Sequence, residues 1–236
     1  MYPAVTWLCR SRLVWLTAVV GMAVVTALRL QSKNRQRVNV YLDGQYGLSV
    51  DRVLATGLRT GQEFTSAQLE ELSRRDALET ACRQALRLLS RRPRSERELR
   101  EAWQRRKVDS ATQVSALTRL RESGQLDDRA FARAWIENRA AFRPKGVVAL
   151  RMELRKKGVS DEIIEDSLHG IDEEAAAYAA ATKASRRWKD LPWEAFRDRL
   201  GGYLRRRGFS YELSISVVRR VWREGKSAGS ESEVLS

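Results

Sequence analysis

Few residues in this chain have the types and spacing that chemistry requires. Asp127 and Asp128 are adjacent carboxylates, and paired carboxylates can divide general acid and general base work between them. They stand at the start of a helix, however, where carboxylates accept hydrogen bonds from free N–H groups and favour the helix dipole. No histidine or metal cluster accompanies them, so capping is the better account. His169 is the single histidine, which excludes a multi-histidine metal site. It precedes Gly170, where a helix end tolerates partial positive charge. Cys9 and Cys82 are far apart and lack a CxxC spacing, so neither a zinc site nor a disulfide framework is expected. A reducing, cytoplasmic setting fits two lone thiols. Walker motifs, glycine-rich phosphate loops and nucleophile elbows are missing from the sequence. The expectation is a binding protein that is not an enzyme and uses no cofactor or metal.

The chemistry that remains is charge. Lys and Arg number 44 against 30 Asp and Glu, a formal excess of +14 over 236 residues. Such a balance attracts polyanions, nucleic acid above all. Four clusters concentrate it: Arg91-Arg92-Pro-Arg94, Arg105-Arg106-Lys107, Arg155-Lys156-Lys157 and Arg205-Arg206-Arg207. Arg139, Arg143 and Lys145 are further candidates. The last three clusters recur at one place in a repeated unit, at the end of a helix. Cations there offset the dipole by about 0.3–1 kcal/mol each. One or two would suffice for that, and three per copy suggest a basic stripe for binding.

The elements that must position these cations are three copies of a unit roughly 50 residues long. Leu150-x-x-x-Leu154-x-x-x-Gly158-x-Ser160 and Leu200-x-x-x-Leu204-x-x-x-Gly208-x-Ser210 align position by position. Leu99-x-x-x-Trp103-x-x-x-Lys107 is the first copy, with lysine in place of the glycine. Apolar residues four apart mark one helix face. Gly158 and Gly208 sit where a helix ends in the left-handed conformation, and Ser160 and Ser210 are the next N-caps. Ser95–Glu98 and Ser110–Gln113 read as capping boxes, and Pro144 and Pro192 fall where middle helices begin. Each copy is helix, turn, helix, turn, helix, and stacked copies would give an elongated, curved body.

Ahead of the repeats the pattern changes. Alternation over 22–30, a polar turn, Val38, Val40 and Leu42 on one face, and Asp43-Gly44 as a hairpin signal predict a small antiparallel sheet. A short helix is expected at Val50–Gly57 and a longer one from the Thr65–Gln68 capping box to about Leu89. The uncharged run 13–28 suggests a signal peptide or membrane helix. It is shorter than the ~20 residues a span requires, and basic residues flank both ends. The fold class is therefore mainly α: tandem three-helix repeats preceded by a small antiparallel β-sheet. The organisation is a hydrophobic extension (1–20), a sheet-plus-helix region (21–75), repeats at 76–126, 127–171 and 172–224, and a polar, frayed tail (225–236).

The stretch Gly124-Gln-Leu-Asp127-Asp128-Arg-Ala-Phe131-Ala132-Arg-Ala-Trp135-Ile136-Glu-Asn-Arg139 resembles the G-x-L-D-D-x-x-F-A-x-x-W-[VI]-x-x-R segment of the RecX family of bacterial RecA regulators. Phe142-Arg-Pro-Lys-Gly146, Leu150-x-x-Glu153-Leu154-x-x-Lys157-Gly158, Arg207-Gly-Phe-Ser210 and the hairpin Arg35–Gly44 are similar to other family segments. The likeness covers about residues 22–222, and residues 1–20 depart from it. Read from the residues alone, Phe131, Trp135 and Ile136 suit a core better than a base-stacking platform, and Gly158 and Gly208 are structural. The resemblance implies a protein that lies along the groove of the RecA–single-stranded DNA filament across neighbouring subunits. There it would inhibit ATPase, strand-exchange and coprotease activity, with consequences for recombination, DNA repair and the SOS response. A cytoplasmic monomer with no membrane partner is expected. Two alternatives are a basic helical DNA-binding protein acting without RecA, and an adaptor tethered to a membrane by residues 7–28.

Overall fold

The computed structural model describes residues 21–233. The hydrophobic segment 1–20, Cys9 and the first half of the run 13–28 read as a membrane candidate lie outside the described residues. Among the described residues no helix is long and apolar enough to cross a membrane. The chain divides into two compact units, and α-helical segments pass from one to the other.

The first unit holds the described residues through Gln84 together with Val108–Ala116. Strands β1 (Ala23–Leu30), β2 (Arg37–Leu42), β3 (Gln45–Asp51) and β4 (Glu63–Phe64) form one antiparallel sheet in the order β3-β2-β1-β4. Val40 stands opposite Leu28 on one side and Leu48 on the other. Period-2 alternation sends Val25, Val40 and Val50 to the face covered by Phe64 and Leu72. Asp43 (φ 49°) and Gly44 (φ 82°) both adopt positive φ, as the hairpin signal predicts. The fourth strand was not legible, because two residues carry no periodicity. The short helix is α1 (Arg52–Ala55), since β3 continues through Asp51, whose side chain accepts the Val53 N–H and caps α1.

Helix α2 (Ser66–Leu89) opens on the expected capping box: Thr65 N–H donates to Gln68 at 2.8 Å and Gln68 N–H to Thr65 at 3.3 Å. Arg37 on β2 pairs with Asp76 of α2 at 2.9 Å, fixing the helix to the sheet. Burial pushes the Asp76 carboxyl above its usual range, against the opposing pull of Arg37.

The second unit holds Ala85–Lys107 and the chain from Leu117 onward. It contains α3 (Glu96–Gln104), α5 (Asp128–Phe142), α6 (Val147–Lys156), α7 (Asp161–Leu168), α8 (Glu173–Ser185), α9 (Trp193–Arg206) and α10 (Tyr211–Glu233); α4 (Ser110–Glu122) spans the division. Helices α5–α7 enclose Phe131, Leu150, Leu154, Ile164 and Leu168, and α8–α10 enclose Phe196, Leu200, Leu204, Val217 and Val218. The leucines four apart are thus core residues, each stabilising the fold by roughly 1.5–3 kcal/mol through burial. Ser160 and Ser210 cap α7 and α10 through the N–H groups of Ile163 and Leu213.

Some local expectations are corrected. The cap of α4 is Asp109, which accepts the Thr112 N–H at 2.8 Å and leaves Ser110 as the first helical residue. Pro192 caps α9, but α6 starts at Val147 behind Gly146, two residues past Pro144. Helix α10 continues through residue 225 to Glu233, where polarity alone suggested fraying.

Candidate functional site

The three recurring basic clusters do lie at equivalent helix ends. Arg105 is the C-cap of α3, Lys157 of α6 and Arg207 of α9, and the residues before Lys157 and Arg207 fill the last helical turns. Glycine at 158 (φ 79°) and at 208 (φ 86°) ends the second and third copies. In the first copy Lys107 itself takes φ 57°, a conformation that favours glycine.

Members of one cluster do different things. Lys157 donates to Glu98 Oε1 at 2.7 Å, reaching from the second copy to the first, and its ammonium lies 4.9 Å from the Trp135 ring. Arg207 donates to the Pro144 carbonyl at 2.9 Å, from the third copy to the second, and sits 4.7 Å over the Tyr203 ring. These two cations join modules. Arg105, Arg106, Lys156, Arg205 and Arg206 are exposed, as is Lys107. Arg106 donates to the Ala102 carbonyl, and Arg155 pairs with Asp161 at 2.7 Å on open surface. Such an exposed pair contributes little to stability.

In the remaining cluster, Arg92 forks onto both oxygens of Glu98 at 2.9 and 3.1 Å, Arg94 donates to the Leu88 carbonyl, and Arg91 is exposed. Burial alone would raise the Glu98 carboxyl, but the bonds from Arg92 and Lys157 outweigh it and hold its pKa at about 2. Arg139 and Lys145 converge on Glu153, which also accepts the Trp135 indole N–H at 2.9 Å; Arg139 bonds at 2.8 Å and stacks 4.5 Å from the Trp135 ring. Burial opposes ionisation of Glu153, yet these three donors prevail and lower its pKa. Phe131 is buried and Trp135 half-buried. Arg143 is exposed.

The junctions between modules repeat as the modules do. Asp128, at the first position of α5, accepts the Glu96 N–H at 3.0 Å; Glu173, at the first position of α8, accepts the Val147 N–H at 2.9 Å. Glu96 and Val147 are the first residues of their own helices, so the middle helices of the first two modules are each capped by the following module. Ser95 Oγ then donates to the Lys157 carbonyl at 2.6 Å, and Gly146 N–H donates to the Arg207 carbonyl at 3.0 Å. A Cβ on Gly146 would lie 2.2 Å from the Gly208 carbonyl oxygen, so only glycine permits this approach. Asp127 caps α5 by accepting the Arg129 N–H at 2.7 Å. Both carboxylates of the pair therefore bind backbone N–H groups. Glu98, Glu153 and Glu173 were missed as organisers because single acids in a basic chain carry no spacing signal. Among the described residues no group of three or more His, Cys, Asp or Glu is placed to hold a metal.

An antiparallel sheet followed by three-helix modules, two of them joined to a neighbour by the same capping contacts, defines a tandem helical-module protein. Four domain models match in succession: the regulatory protein RecX N-terminal domain at residues 23–65, and the first, second and third RecX three-helix domains at 81–120, 127–168 and 172–223. The chain belongs to the RecX family. It is 30% identical over 219 residues to regulatory protein RecX of Bacillus licheniformis, covering 91% of this chain and 83% of that one. It is 27% identical to the protein of the same name from Bacillus subtilis, with 85% and 78% covered. A crystal structure of regulatory protein RecX superimposes with a TM-score of 0.65 at 25% identity, covering 81% of this chain and 96% of that one. The fold is also that of RecX from Lactobacillus salivarius, at 20% identity and a TM-score of 0.56, with 62% and 97% covered.

Proposed function

We propose that this protein binds the RecA filament assembled on single-stranded DNA, lies along its groove and inhibits RecA ATPase, strand-exchange and coprotease activity. The observation that carries the reading is the succession of four RecX domain matches along this chain, beside relatives named as regulatory proteins. The distribution of charge supports it. Exposed cations at equivalent helix ends, among them Arg105, Lys156, Arg205 and Arg206, would meet an acidic protein–DNA surface repeatedly along its length. Long-range attraction of this kind speeds docking and makes it salt-sensitive. The protein acts as a cytoplasmic monomer, contributing contacts rather than catalysis.

The test is DNA-dependent ATP hydrolysis by the cognate RecA with this protein titrated in at fixed moderate salt. Inhibition at well below one molecule per RecA subunit is the expected result. Undiminished hydrolysis, with binding to naked DNA intact, would overturn it in favour of a DNA-binding protein that acts without RecA.

A further inference from the structure

A cleft of about 280 Å³ opens beside the junction between the second and third modules. Its walls carry Arg143, Lys183, Arg187 and Arg207 with Phe142 and Tyr203, over a floor of Ala180, Ala184 and Pro144. Among the described residues no carboxylate lines it. Arg207 is held by the Pro144 carbonyl and the Tyr203 ring, and Tyr203 is held edge-on by Trp188 at 6.1 Å between centroids. Arg143, Lys183 and Arg187 are exposed and have no acidic partner within ion-pair distance among the described residues. Several arginines elsewhere, Arg92, Arg129, Arg151 and Arg220 among them, are by contrast engaged with acids.

The group that sets this cleft apart is Phe142. Its phenyl ring ends α5 and is 70% exposed, so folding gains little from it. An aromatic face standing in water beside unpaired cations has the composition of a single-strand platform, where cations hold phosphates and a ring receives a base. Arg207 and Tyr203, held by Pro144 and Trp188, would fix that geometry, leaving Phe142 and the three free cations to meet the ligand.

We propose that this cleft is a binding site for single-stranded DNA, with a phosphodiester held by Arg143, Lys183 and Arg187 and one base stacked on Phe142. This deepens the functional reading above and rests on its nucleic-acid half. Duplex DNA offers phosphates but no free base face, so the site discriminates strands through Phe142.

The test uses the full chain without RecA and measures anisotropy of a labelled oligodeoxythymidylate, an abasic oligonucleotide of equal length and a duplex. Wild type should bind the oligodeoxythymidylate more tightly than the abasic strand. Phe142→Ala should weaken oligodeoxythymidylate binding by about 5- to 150-fold and abolish that preference, leaving the duplex unchanged. Arg187→Glu should weaken all three ligands and, on the single strands, make the salt dependence shallower by about 0.7 for each phosphate no longer neutralised. Unchanged binding by Phe142→Ala, or no preference in the wild type, overturns the stacked base; unchanged binding by Arg187→Glu overturns the site. Either failure beside intact inhibition of RecA hydrolysis by the wild type removes the cleft alone, whereas undiminished RecA hydrolysis with the wild type removes the broader reading.

Discussion

Asp128 caps a helix that is not its own. Its Oδ1 accepts the N–H of Glu96, the first residue of α3, from the first position of α5. An isolated three-helix unit would leave that N–H unpaired, because the first four N–H groups of a helix have no partner within it. Burial pushes the Asp128 carboxyl above its usual range, so the junction is built with an acid whose ionised form is strained by desolvation. What the fold requires there is an acceptor oxygen. Asp128→Ala should destabilise the protein by about 1 kcal/mol, the usual loss for a removed cap. Asp128→Asn keeps the acceptor and removes the buried charge, and should stay close to wild type at neutral pH. Urea unfolding of both variants checks this, and equal losses would show that charge is the essential feature.

Glu98 has the opposite sign. With its pKa held at about 2 by Arg92 and Lys157, it is lowered from an ordinary 4.5. A lowered folded pKa contributes stability that is complete above the unfolded value and lost as pH falls through the folded one. The Arg92–Glu98–Lys157 junction should therefore weaken progressively between about pH 4.5 and 2. Glu98→Gln should be less stable than wild type at neutral pH and should show a shallower loss over that acid range. Denaturant midpoints across the range measure both slopes; parallel curves would mean that other carboxylates govern acid unfolding.

These junctions also mark where sequence reading stops. Leu150/Leu154, Leu200/Leu204, Gly158 and Gly208 were legible because a 3.6-residue period and a left-handed helix end leave local signatures. The hairpin at Asp43-Gly44 was legible for the same reason. Asp128 was recognised as a capping residue, but the helix it serves begins 32 residues earlier in the chain. Likewise the basic triplets announce their position and not their partners. Nothing in Arg155-Lys156-Lys157 tells that Lys157 turns toward Glu98 while Lys156 faces water. Lys183, Arg187 and Phe142 come together only when α5, α8 and α9 pack, and no spacing along the chain foretells that.

Lys107 carries a strain that its counterparts avoid. It adopts φ 57° at the position filled by glycine in the other copies. A left-handed conformation costs a non-glycine residue roughly 1–2 kcal/mol. Glycine loses more backbone entropy on folding, which returns part of that gain. Lys107→Gly should leave the protein as stable or up to about 1 kcal/mol more stable, read as a raised thermal midpoint. A lowered midpoint would show that the lysine side chain makes a compensating contribution.

The division of labour within one triplet can be separated by two variants of neighbouring arginines. Arg205 and Arg206 are exposed, while Arg207 is half-buried and bonded to the Pro144 carbonyl. Exposed cations in a last helical turn contribute about 0.3–1 kcal/mol each through the helix dipole. Arg205→Gln with Arg206→Gln should therefore lower stability by no more than about 2 kcal/mol in sum, while more protein is needed to inhibit RecA, most visibly at low salt where attraction is least screened. Arg207→Ala removes a bond from a charged donor and the cover over Tyr203, and should cost about 1.5–3 kcal/mol of stability. A stripe that acts only through helix dipoles would instead give small, equal stability losses at all three positions and unchanged inhibition. Measuring unfolding and inhibition on the same preparations tells the two apart, because a cation that faces the filament and one that holds modules together fail in different assays.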